Sequence, residues 1–370
     1  MWSTYYHNVR TSWNRWVTSP RFIGFVYAYH LLFILVAYLY RTQRGISDAH
    51  TFWGLKGNLL EQPWFSYLSF GNDFMLFLTY PFVWLGLPFW FGFWLFGTIG
   101  FVGIVYWMRW LRLELGGDLT VKGWSVLPFL FFWPNLHFWT AGLGKESLVF
   151  WSLAVLFYTV FQRKFGVLFW VAGVLLVVLR PHVAMFFAAA FLLGQLLQRD
   201  VAWRVKMKVV AVSAPLAVAL LYVVLKMTNI RYIDWKRIQR FNDFSVRSFE
   251  GSGSYVPMLD YSWGYKMVSL SFRPFLWEAT SFFSFLAGLN NFIELLCHGV
   301  GLVLFVVYFR RISFSTTLKV ALLFAFISAS VYVFRYANFG IFMRTKMMWL
   351  PFLAGVFVFI LRKVENWERG

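Results

Sequence analysis

Apolar runs of membrane-crossing length recur from Phe22 to Leu361, and that recurrence leaves this chain few folds to choose from. Backbone inside hydrocarbon must satisfy its own N–H and C=O groups, so each run reads as a helix. Of the 370 residues, 60% are hydrophobic and 13% charged, against roughly 25% charged in soluble domains. The expected fold class is all-α: a polytopic membrane helix bundle of about ten transmembrane helices. The spans are placed at 22–40, 89–108, 124–139, 147–161, 165–179, 183–197, 209–226, 288–309, 315–334 and 347–361. No repeat or low-complexity tract divides the chain, so residues 1–370 read as a single membrane domain. Many of the 21 Trp and 18 Tyr fall at the predicted helix ends, where headgroups accept an apolar ring with a polar tip.

The net charge of +19 invites a nucleic-acid reading, and its distribution argues against one. With both termini cytoplasmic, the inner segments hold 18 of the 34 Lys and Arg, among them Arg109, Arg112, Arg163, Lys164, Arg310, Arg311, Arg362 and Lys363. Eight of the remainder, from Lys226 to Arg273, lie in or beside one long outer loop, 227–287, and long translocated loops count little toward orientation. Most of the charge is therefore an orientation signal and a contact for anionic membrane lipids. The first twenty residues are polar, aromatic and basic with no small-residue cleavage site, so the first span serves as an uncleaved start of insertion. A bacterial inner-membrane protein is expected.

Residues 74–88 are apolar, but Pro81 interrupts them and Pro88 ends them. Counting them as a span would reverse every later loop, so they are assigned to an outer juxtamembrane or re-entrant helix. Within the long loop, Gly251–Ser254 reads as a hinge, and 266–285 as an amphipathic segment lying along the interface.

Ionisable groups near a bilayer are costly, which makes the few outer ones candidates for chemistry. Asp48 follows the first span in an aromatic loop with His50 nearby, placed to deprotonate an acceptor hydroxyl or to hold a divalent metal against a lipid phosphate. The structural alternative is a helix start, with Ser47 or Asp48 as the cap. Lys145 and Glu146 open a helix after the Gly142–Gly144 turn, where a cation beside a helix N-terminus suits phosphate; Glu146 would be a second acid, or simply a complement to the helix dipole. Arg180-Pro181-His182 breaks a long apolar stretch with cationic groups, and Arg335, Arg344 and Lys346 flank the last predicted turn. Arginine clusters recognise phosphate, while snorkelling toward headgroups explains the same residues, Lys346 above all. Glu294 and His298 are four apart on one helix face and read as a structural pair.

Nothing matches a phosphate-binding Gly-rich loop, a paired-Cys site, HExxH or G-x-S-x-G. The acid after the first span, the second acid after the third, and the basic outer loop resemble the GT-C class of membrane glycosyltransferases. FWTAGLGKESLVF and LRPHVAMFF are similar to stretches of GT-C-like proteins from bacterial surface-polysaccharide pathways. The resemblance implies a polyprenyl-phosphate-linked sugar or glycan as substrate at the outer face. It casts Asp48 as general base or metal-holding acid and Glu146 as second acid, with Lys145, Arg180, His182, Arg335 and Arg344 on the carrier phosphate. The chain departs from the class in having Lys-Glu at the second acidic site and no large soluble domain after the last span. An O-antigen-type polysaccharide polymerase and a non-enzymatic subunit of a transport or secretion assembly are the alternatives.

Overall fold

A computed structural model describes residues 19–45, 47–116, 120–121, 124–125, 127–198, 202–227 and 234–368. The N-terminal segment and the predicted inner residues Asp118, Lys122, Arg199 and Asp200 lie outside the described residues, as does 228–233 of the long loop. The regular structure of the described residues is helical apart from one antiparallel ladder pairing Thr120 with Ser125 and Val121 with Trp124, and an isolated antiparallel bridge between Tyr255 and Asn338. It forms two compact units, one of residues 1–180 and 362–370, the other of Pro181–Leu361.

The first unit holds α1 (Pro20–Arg44), α2 (Asp48–Phe52), α3 (Asn72–Trp84), α4 (Phe89–Leu115), α5 (Leu127–Leu130), α6 (Pro134–Thr140), α7 (Lys145–Gln162) and α8 (Val167–Leu179). Local chemistry sets the ends of α1. Ser19 Oγ accepts from the Phe22 amide, Pro20 fills the first turn, and Gly45 closes the helix at φ 65°. Four glycines along α4 then let neighbouring backbones come close. A Cβ at Gly97 would lie 2.8 Å from the Ala141 carbonyl oxygen, one at Gly100 2.0 Å from that of Thr140, and one at Gly103 2.8 Å from Trp151 Cα. Gly92 in turn receives the Trp53 ring and Leu143. This is the small-residue packing by which membrane helices gain contact without a hydrophobic drive.

The span expected at 124–139 is corrected. Pro134 starts α6 as a new helix, and Trp133 before it is extended (φ −64°, ψ 107°), as a residue preceding proline is pushed to be. The helix expected over 74–88 is present as α3, which carries Pro81 inside it and is tied to α2 by Thr79 Oγ1, a donor to the Phe52 carbonyl at 2.6 Å.

The second unit contains α9 (Pro181–Leu196), α10 (Trp203–Met227), α11 (Trp235–Arg247), α12 (Trp263–Phe272), α13 (Phe282–Tyr308), α14 (Thr316–Tyr332) and α15 (Phe339–Lys346), with α16 (Leu350–Glu368) beginning there. Helix α13 is apolar outside and polar inside. Gly288, Asn291, Glu294, His298 and Gly301 recur at three- and four-residue steps and are buried, while Ile293, Leu296, Val300, Val303 and Val307 are exposed. Such inverted amphipathicity fits lipid, not water. The segment expected to lie along the interface over 266–285 is corrected to two pieces. Helix α12 stops at Phe272, and Phe282 already belongs to α13; between them Arg273 donates to Glu278 and, at 3.0 Å, to the Tyr261 hydroxyl. The expected Gly251–Ser254 hinge is tied down: Asn338 Nδ2 donates to Ser252 Oγ at 3.1 Å and Ser254 Oγ at 2.7 Å.

Four described helices are long and apolar enough to cross a membrane: α1, α4, α10 and α13. A fifth is added if α15 and α16, bent by 54°, form one span. Helices α8, α9 and α14 are apolar but shorter.

Candidate functional site

In the first unit, Gly144 precedes α7 with extended backbone, and Ser147 Oγ donates to the Gly142 carbonyl at 2.7 Å to fix the turn. That turn sets Lys145 and Glu146 in the first helical turn, where a carboxylate complements the exposed amides. Arg180 caps the other end of the arrangement. Because Pro181 follows, Arg180 leaves the helical region (φ −147°, ψ 77°), and its Nη2 donates to Glu146 Oε1 at 2.6 Å. Of the predicted residues, Glu146 and Arg180 are thus brought together. Arg180 is only 7% exposed, so snorkelling does not describe it. A carboxylate already accepting from a guanidinium is a poor recipient for a hydroxyl proton, so the geometry casts Glu146 as the residue that holds Arg180.

Asp48 opens α2 and is exposed. Ser47 takes the capping position: its carbonyl accepts from the His50 amide at 3.0 Å, and its hydroxyl lies 2.9 Å from His50 Nδ1. His50 is buried against the Phe89 ring, 4.9 Å between centroids, so it faces the protein while Asp48 faces out. The loop carrying Asp48 and the loop carrying Lys145 both rest on Gly92, through Trp53 and Leu143.

His182, Arg335 and Arg344 belong to the second unit. The His182 ring meets the edge of Tyr332 at 5.9 Å, and the Arg335 amide donates to the Tyr332 carbonyl at 3.0 Å. The Arg335 guanidinium lies 4.0 Å from the centre of the Phe241 ring. Burial lowers the Arg335 pKa from its ordinary value, with Tyr336 and Tyr332 opposing. Arg344 sits half-buried in the last turn of α15.

Sequence reasoning misread one buried polar group and passed over another. Lys346, read as a snorkelling residue, is 0% exposed and donates to Asn291 Oδ1 at 2.7 Å and Glu294 Oε2 at 2.5 Å. Glu294 also accepts from Asn290, and His298 Nδ1 bonds to the Glu294 carbonyl at 2.8 Å, so the expected Glu294–His298 pair is part of a wider network. In the first unit, His30 and His137 are both 0% exposed and meet Nδ1 to Nδ1 at 2.9 Å. Their signal was present in the sequence: each is an ionisable residue inside an apolar run. Among the described residues, no group of three His, Cys, Asp or Glu side chains is placed to hold a metal. Asp48 could give a metal one carboxylate.

No family model, curated protein or solved structure matches this chain.

Proposed function

We propose that this chain is a membrane glycosyltransferase of GT-C-like kind, taking its sugar from a polyprenyl-phosphate carrier at the outer face of a bacterial inner membrane. The observation that carries the reading is the Glu146–Arg180 pair at the first turn of α7, with Lys145 beside it. A charged group this buried is expensive unless paired, and a paired arginine next to a lysine at a helix N-terminus suits a phosphate that approaches from the lipid. Lys145 and Arg180 would meet the carrier phosphate, with Glu146 orienting Arg180. Asp48, on the neighbouring loop pinned to Gly92, would take the proton from the acceptor hydroxyl.

The threading that accompanies this reading keeps about ten spans and both termini cytoplasmic, with α7, α8, α9 and α14 completing the crossings beside the two short helices α5 and α6. The break at Pro134 puts α5 and α6 in series where one span was expected, so that crossing is made by two short helices. The contribution of His182, Arg335 and Arg344 to carrier binding rests on the sequence resemblance alone.

The test is an Asp48→Asn variant that reaches the membrane at the level of the parent. General-base removal predicts a loss of about 10²-fold or more in glycan assembly. Full assembly by that variant removes Asp48 from the mechanism.

A further inference from the structure

The His30–His137 contact poses a proton count. His30 Nε2 lies 3.0 Å from the Gly97 carbonyl oxygen, His137 Nε2 lies 2.8 Å from that of Phe131, and the two Nδ1 atoms face each other at 2.9 Å. Each of the three contacts needs one hydrogen, because a carbonyl oxygen only accepts and two bare imidazole nitrogens repel. Two neutral rings carry two N–H groups between them. With both hydrogens on the Nε2 atoms, lone pair faces lone pair between the rings. Moving either to Nδ1 sets a bare nitrogen against a carbonyl. Only three N–H groups satisfy the whole arrangement.

We propose that His30 and His137 form a binding site for a single proton, held between their Nδ1 atoms in a cationic imidazole pair. A zinc ion does not fit there: two imidazole nitrogens on a tetrahedral zinc, at about 2.0 Å each, stand about 3.3 Å apart, wider than the observed 2.9 Å, and among the described residues no third His, Cys, Asp or Glu completes a metal site. Among the described residues, aromatic rings and backbone carbonyls meet the pair, and no carboxylate bonds to it. The rings of Tyr29 and Phe33, on α1, lie 4.9 and 5.8 Å from His137, and Phe101 on α4 lies 5.6 Å from His30, within cation–π range. Two carbonyl oxygens take the outer hydrogens, which makes both bonds charge-assisted. Among the described residues, Tyr29 is the one other titratable side chain in ring contact with the pair, and its hydroxyl donates to the Phe132 carbonyl at 3.2 Å. From α4 the pair meets Gly97 and Phe101, and from the turn before α6 it meets Phe131. None of these carries charge. Loss of the proton would leave the two Nδ1 lone pairs opposed and drive the rings, and with them α1 and α6, apart.

The measurement is nitrogen NMR of the intact protein in lipid bilayers with its histidines labelled on both ring nitrogens. The chain has six histidines, so the spectrum is sparse. The two rings are assigned by through-bond correlation of each ring to its own backbone, so the assignment does not depend on the shared hydrogen and no substitution risks the fold. The expected result is three protonated nitrogens on that pair at the acidic end of the range from about pH 5 to about pH 8. Rings that each carry a single N–H throughout that range overturn the proposal.

Discussion

Arg180 and Lys346 are buried cations that each meet a carboxylate, Glu146 and Glu294. Removing one partner of such a pair strands the other in a medium that cannot solvate it, at a cost of about 3–5 kcal/mol. Glu294→Ala is therefore expected to lower thermal stability in detergent by that order, whereas Glu294→Leu with Lys346→Met should recover most of it. A double variant no better than the single one would contradict this account of the network. At Glu146 the expectation differs in kind. Glu146→Gln keeps a hydrogen-bond acceptor for Arg180, so folding should survive while carrier affinity falls, read as a higher lipid concentration for half-maximal binding. Neither pairing was legible in the sequence. Glu146 and Arg180 are 34 residues apart, and Lys346 is 52 from Glu294, so nothing local joins them. Sequence reasoning could say only that each charge needed a reason.

Among the elements, the glycines of α4 make the sharpest prediction. Gly100→Ala places a methyl group where the Thr140 carbonyl oxygen already sits, and backbone cannot yield as a side-chain tip can. Overpacking of this sort costs about 1–3 kcal/mol or more. Gly142→Ala meets nothing within 4 Å and should leave the melting temperature unchanged. Equal melting of the two variants would count against backbone contact between α4 and α6. The elements themselves were largely readable from apolar run length: α1, α4, α7, α8, α9, α10, α13 and α14 all overlap predicted spans. What failed was 124–139, where hydropathy outvoted Pro134, and 266–285, where amphipathic spacing hid the turn at Arg273. The polar stripe of α13 was half visible, since Glu294 and His298 share a face, but Asn291 drew no notice because an amide carries no charge.

At the scale of the molecule, the threading and the site are separate claims. The threading expects single cysteines at Gly142 and at Lys164, with Cys297 replaced, to react from opposite sides of sealed vesicles. Reaction of both from one side would require a different number of crossings between them. The site's central claim is that the turn before α7 receives a lipid-linked phosphate. Its most direct test is native mass spectrometry of the protein released from bilayers containing polyprenyl phosphate and an excess of phosphatidylglycerol. The account predicts retention of polyprenyl phosphate by the parent and its loss in Lys145→Ala, with phosphatidylglycerol adducts unchanged. Equal retention by the two proteins would contradict it.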